Sequence, residues 1–193
     1  MTNTRVTDAL ALRTMASAFD AQRGKLPVEG DPHRSPDGVS VARQISELGK
    51  LITDLGNDVF FRAAESNREA HTSRVIDGFA GAVLPAGEAA SALGSVAHQL
   101  SLLDLTEHLR DQPDARDARE AAMQVMGESL ETADRALHDA ATSLHIAAQG
   151  VSPSSARLQA ARRRSTIAAS ASPPAPTPAV SADPAARTAR SRR

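Results

Sequence analysis

The chain contains no cysteine, tyrosine or tryptophan, and its aromatic residues are four phenylalanines among 193 residues. The absence of cysteine excludes disulfides, thiolate metal ligands and a cysteine nucleophile. Strands favour aromatic and β-branched side chains, so this composition favours helices. Ligand pockets are usually lined by aromatic groups as well. We therefore expect neither a small-molecule site nor a cofactor.

Long apolar runs are also missing. No segment approaches the roughly 20 consecutive apolar residues that a membrane-spanning helix needs. The first residues, MTNTRVTDALALRTM, lack the apolar region of a secretory signal. We expect a cytoplasmic protein without a membrane span.

The residue patterns of common active sites are absent. No glycine cluster is followed by Lys-Ser or Lys-Thr, and no Gly-x-Ser-x-Gly elbow occurs. Residues four apart share a helix face, but exposed ion pairs explain the two Asp-x-x-x-His pairs better than metal ligation does. These pairs are Asp104 with His108 and Asp134 with His138. The sequence predicts no enzymatic activity, no catalytic residue and no metal site.

Apolar residues recur instead at spacings of three and four. One such stripe covers residues 123–147 and includes Leu130, Leu137 and Leu144, and another covers residues 41–59. Helices with this pattern pack lengthwise against other helices. The spacing predicts an all-α protein, namely an antiparallel bundle of four to five helices with coiled-coil-like seams.

Proline and glycine divide the chain into segments. Three prolines exclude a helix at residues 24–38, and GFAGAVLPAG at residues 78–87 predicts a kink or break. Helices are expected at about residues 7–22, 40–66, 67–83, 87–109 and 114–149. The predicted organisation is an N-terminal helix at 1–23, a Pro/Gly linker at 24–38, the helical bundle at 39–150 and a disordered basic tail at 151–193.

Two features of these segments have alternative interpretations. The linker suggests that the first helix docks loosely or exchanges between partners. Gly49 and Gly56 lie seven residues apart in the second helix. They fit either a solvent-exposed flank or the close approach of another backbone.

The leucines of two helices are the candidate interaction residues. Leu102, Leu105 and Leu109 add a second apolar face to the helix at 87–109, and such a helix sits between neighbours. Leu130, Leu137 and Leu144 can be satisfied within the chain or by a second copy. We expect a non-enzymatic interaction or scaffold protein that self-associates or captures a partner helix through these six leucines.

The charge of the chain is unevenly distributed. Residues 151–193 carry a formal charge of +7, whereas residues 1–150 carry −8. Each arginine that contacts a phosphate adds salt-dependent affinity, so the alternative function is a nucleic-acid accessory protein that dimerises through the bundle. The candidate phosphate contacts are Arg162, Arg163, Arg164, Arg187, Arg190, Arg192 and Arg193.

Overall fold

The computed structural model describes residues 2–28, 31, 34–65 and 70–152. Over these ranges the chain forms four α helices and no strand, which confirms the all-α bundle and fixes its helix number at four. The helices are α1 (Thr2–Gly24), α2 (Gly38–Ala64), α3 (Ala70–Leu105) and α4 (Pro113–Val151), with a 3-10 turn at Glu107–Leu109. Residues 153–193, with all but the first two residues of the predicted tail and with its seven candidate arginines, lie outside the described residues.

Local chemistry fixes the start of two helices. The Asp37 carboxylate accepts hydrogen bonds from the backbone N–H groups of Ser40 (2.9 Å) and Val39 (3.1 Å), which are unsatisfied at the start of α2. The bonds from Ser40 are the main reason that the pKa of Asp37 is lowered. Helix α4 begins at Pro113, where a missing N–H costs no helical hydrogen bond.

The four helices stand at the corners of a square, and neighbouring helices pack closely along three of its four sides. Helix α1 packs along α4, α4 along α3 and α3 along α2, whereas α1 and α2 touch at few points. All three close pairs are antiparallel, as the contacts of Asp20 with His145 and of Gly78 with Ala147 illustrate. One side of the square is therefore open along much of its length.

Helix α3 runs through Pro85 without interruption, so the expected break at residues 78–87 is wrong. Phe79, Ala82 and Ala86 lie on one face of this segment and are fully buried. Burial of that face offsets the loss of one backbone hydrogen bond at the proline. The two helices predicted at 67–83 and 87–109 are consequently one helix in the structure.

A glycine sets the distance between α3 and α4. A Cβ atom added at Gly78 would lie 2.5 Å from the Cβ of Ala147, which no side chain can occupy. Nothing lies within 4 Å of such an atom at Gly49 or Gly56, so these two glycines lie on a solvent-exposed flank. The close backbone approach therefore occurs at a different glycine from those considered above.

Helix α1 is a full member of the bundle. Its apolar stripe, which includes Leu12, Ala16 and Phe19, is buried in the same core as residues of the other three helices. The segment after it is held as well, because Leu26 is buried and the Arg34 guanidinium donates to the carbonyl oxygens of Gly24 and Leu26. This packing contrasts with the loose docking expected from the linker.

The contact at Gly78 gives a stability prediction. Gly78→Ala should lower the free energy of unfolding by about 1–3 kcal/mol, because the new methyl group forces α3 and α4 apart. Gly56→Ala is the control and should raise it by up to about 1 kcal/mol, because alanine is the better helix former. Urea denaturation followed by circular dichroism measures both, and a stabilising Gly78→Ala would contradict this account of the interface.

Candidate functional site

The seam leucines of α4 face the interior of the protein. Leu137 and Leu144 are fully buried in the main core, and Leu130 is buried in a smaller cluster with Val41 and Val96. Their apolar surface is thus already covered by other helices of the same chain. It is not available to a partner while the bundle is folded.

The leucines at the end of α3 have different surroundings. Leu105 is 69% exposed and Leu102 is also exposed, whereas Leu109 is half-buried in the 3-10 turn. Arg119 of α4 holds this end of the hairpin, because its guanidinium donates to the Leu103 carbonyl oxygen at 2.8 Å. Two of the six predicted leucines therefore offer apolar surface to a partner.

A cleft of about 940 Å³ lies between the end of α1, the segment after it and the middle of α4. Arg23 crosses this cleft and forms two hydrogen bonds with the Asp134 carboxylate, at 2.7 and 2.9 Å. These bonds lower the pKa of Asp134 and raise the pKa of Arg23. Nδ1 of His138 lies 3.5 Å from the same guanidinium. The cleft thus contains an internal ion pair that fastens α1 to α4.

The other Asp-x-x-x-His pair is not a site either. Asp104 and His108 are both exposed, and α3 ends between them at Leu105. Within the part of the chain that the structure describes, no three histidine, aspartate or glutamate side chains are grouped so that they hold a metal ion.

The open side of the bundle forms a groove between α1 and α2, with a volume of about 450 Å³. Half-buried Met15 and Leu51 face each other across it, and Leu10, which is 59% exposed, lies on its rim. We call this the α1/α2 groove. It is lined by Thr7, Leu10, Ala11, Thr14, Met15 and Ala18 of α1 and by Leu51, Asp54 and Asp58 of α2.

Both ends of the α1/α2 groove are fastened by polar contacts. At one end Gln22 of α1 donates to the Glu47 carboxylate at 2.7 Å. At the other end Arg62 of α2 pairs with Asp8 of α1 at 3.4 Å, and its guanidinium lies 4.7 Å from the centre of the Phe79 ring. The walls are therefore tied together at both ends and remain apart between them.

Two exposed aromatic rings lie near the Arg62 end. Phe60 and Phe61 are 65% and 66% exposed, with ring centroids 5.5 Å apart. Phe61 lines a hollow of about 260 Å³ that also includes Thr4 of α1 and Glu65, the residue after α2, whereas Phe60 does not line it. Because residues 58 and 61 are one helical turn apart, this hollow continues the line of the groove.

The two walls of the α1/α2 groove differ in charge. The α1 wall is uncharged, whereas α2 carries carboxylates at Glu47, Asp54 and Asp58, and Glu65 follows directly after the last residue of the helix. Hydrogen bonds from Lys25 and Gln22 lower the pKa of Glu47, and Asp58 pairs with Arg62. Within the described residues Asp54 and Glu65 have no ion pair.

Sequence reasoning missed this groove, although two signals pointed towards it. In α1, Leu10 and Met15 are apolar but lie off the stripe that contains Leu12 and Phe19. In α2, Phe60 and Phe61 are adjacent and so point about 100° apart on a helix, which prevents both from facing one core. Apolar residues outside the stripe that faces the core were the signal in the sequence for a second apolar surface.

Helix α3 is also apolar enough to raise the question of a membrane. Among the described residues, His71–Leu105 is the one segment whose length and hydropathy suit a membrane span. Its large apolar residues Val75, Phe79 and Leu93 face the core. A core helix of a bundle has the same composition, so the segment is compatible with the absence of a span.

Comparisons of the chain with protein-family models, with curated proteins and with solved structures found no match.

The Arg23–Asp134 pair gives a pH-dependent prediction. Because the pKa of Asp134 is lower in the folded state than in the unfolded state, the pair stabilises the fold above the usual carboxylate pKa. That stability is lost as pH falls through the folded-state value. The difference in unfolding free energy between the wild type and Asp134→Asn should be largest near neutral pH and should vanish at about pH 2.

Urea titrations across this pH range measure the difference. Asp139→Asn is the matched control, since Asp139 is exposed on the same helix and has no ion pair among the described residues. A difference for Asp134→Asn that does not change with pH would show that the ion pair is not its cause.

Proposed function

We propose that the protein is a non-enzymatic interaction protein that captures a partner helix in the α1/α2 groove. The observation that supports this most directly is the open side of the bundle. Its walls are fastened at both ends and apart between them, and their apolar residues Leu10, Met15 and Leu51 match the way in which grooves bind amphipathic helices.

The dimensions of the groove suit a short helix. Its α1 wall extends from Thr7 to Ala18, and eleven residues at 1.5 Å each give about 17 Å, or three helical turns. Alanine and threonine make up most of this wall, so a helix can approach it closely. A bundle with four helices and one open side thus has room for a fifth helix.

The exposed residues beside the groove supply suitable anchors. Binding energy in protein interfaces is concentrated in a few large side chains, among which aromatic residues are over-represented. Leu10 is exposed at the groove and Phe61 at the adjoining hollow, whereas the leucines of the α4 seam are buried. We therefore assign the partner surface to Leu10 and Phe61 and not to Leu130, Leu137 and Leu144.

Leu10→Asp tests this proposal. The carboxylate would place a charge on the apolar rim, so a partner retained by the immobilised wild-type protein from an extract of its own cells should be lost. Leu84→Asp is the matched control, because Leu84 is 72% exposed on α3 and does not line the groove. Retained partners are identified by mass spectrometry, and identical profiles for the three proteins would contradict helix capture in this groove.

Self-association through an exposed apolar surface is the alternative to capture of a different protein. Leu102 and Leu105 offer exposed apolar surface at the opposite end of the bundle from Phe61. Light scattering of the full chain and of Leu105→Asp distinguishes a dimer formed there from capture of a different protein.

Nucleic-acid binding is a second candidate function, and the charge of residues 151–193 favours it. We propose that seven arginines in this segment contact phosphates while the acidic body stays away from them. Duplex DNA should be shifted by the wild type in a mobility assay at low salt. The shift should be lost when these arginines are replaced by glutamine, and affinity should fall steeply with salt. Absence of a shift at low salt would exclude this function.

A further inference from the structure

We infer that the helix bound in the α1/α2 groove carries basic residues along the edge that faces α2. The inference rests on the proposed function and adds the chemistry of the partner. Its basis is that only one of the two walls is charged, and that both charged residues of this wall, Asp54 and Asp58, are carboxylates.

The positions of the carboxylates define a line. Asp54 and Asp58 are one turn apart on the groove side of α2, and Glu65 stands just past the end of this helix, in the hollow with Phe61. Because α1 and α2 are antiparallel, with Asp8 beside Arg62 and Gln22 beside Glu47, a helix bound along the α1 wall would pass both Asp54 and Asp58.

The carboxylates differ in how much charge is already balanced. Asp58 is engaged by Arg62, which also pairs with Asp8. Asp54 is exposed at the middle of the groove and has no ion pair within the described residues. A lysine or arginine of a bound helix would therefore find its strongest uncompensated partner at Asp54, with Glu65 beyond the end of α2 as a second one.

Because the α1 wall is uncharged, it favours basic residues only on the edge of the bound helix that faces α2. Charged side chains on the edge that faces α1 would meet threonine, alanine, leucine and methionine, and they would lose hydration without a compensating charge. The expected partner is consequently an amphipathic helix with an apolar stripe, a basic edge towards α2 and small or neutral residues towards α1.

Defined peptides test this inference on the full chain. Three labelled peptides of about 18 residues share one amphipathic sequence and differ only along one edge, which carries lysine, glutamine or glutamate. Fluorescence anisotropy should give the tightest Kd for the lysine peptide and the weakest for the glutamate peptide. The difference between them should be about tenfold at low salt and should shrink as salt is added.

Reversal of one charge on the protein tests whether the preference for the lysine peptide depends on Asp54. Asp54→Lys should weaken binding of the lysine peptide about fivefold and strengthen binding of the glutamate peptide. Asp104→Lys is the matched control, because Asp104 is equally accessible on α3 and lies outside the groove. Unequal responses of the two variants support a basic edge beside Asp54, and equal responses refute it.

The adjacent phenylalanines provide a second matched pair. Phe61→Ala should weaken every peptide about tenfold, because its ring lines the hollow at the end of the groove. Phe60→Ala should have a much smaller effect, since Phe60 is as exposed but does not line that hollow. Circular dichroism of each variant establishes that the helical content is unchanged.

The outcomes separate this inference from the proposed function. Equal binding of the three peptides, abolished by Leu10→Asp, would refute the basic edge and retain the groove as a helix site. Failure of all three peptides to bind would overturn the basic edge, and the capture experiment with Leu10→Asp would then decide the groove itself. A wild-type dimer that Leu10→Asp converts to a monomer would place a second copy in the groove and also overturn the inference.

Discussion

The close approach of α3 and α4 at Gly78 and Ala147 is the constraint on which the rest of the fold depends. It turns two long helices into one hairpin that serves as the support for α1 on one edge and α2 on the other. The apolar stripe of α1 is directed at α4, and that of α2 is directed at α3. Neither outer helix has a full apolar stripe left for the other, so the side between them stays open.

The polar contacts at the two ends of the opening have a consequence for binding. Arg62 links α1, α2 and α3 through Asp8 and the Phe79 ring, and the Gln22–Glu47 bond links α1 and α2 at the far end. A groove held in this way loses little conformational entropy when a ligand enters, which favours affinity. The half-buried Arg62 contacts also hold α1 beside α2 despite the long connection between the two helices.

The helical class was predictable from sequence because apolar spacings of three and four extend over whole segments. The continuous course of α3 was not predictable, because it depends on the balance between the local cost of Pro85 in a helix and the free energy gained by packing against other helices. Proline in a helix costs about 3 kcal/mol, whereas full burial of Phe79 alone contributes about 2–3 kcal/mol and Ala82 and Ala86 are buried beside it. The groove was harder still to predict. Its existence depends on which flanks of α1 and α2 remain uncovered once Leu12, Phe19, Leu48 and Leu55 are packed.

The size of the α1/α2 groove limits the kind of complex it can form. Three turns of helix contribute few side chains, and such a contact falls below the roughly 1,200 Å² at which stable interfaces begin. Exposed ion pairs add little to the lifetime of a complex, but complementary charge raises the rate of encounter. An acidic row beside a short apolar groove is therefore suited to rapid, reversible capture. Asp54 would act mainly by steering the partner towards the groove, while Leu10 and Phe61 would determine how long it stays.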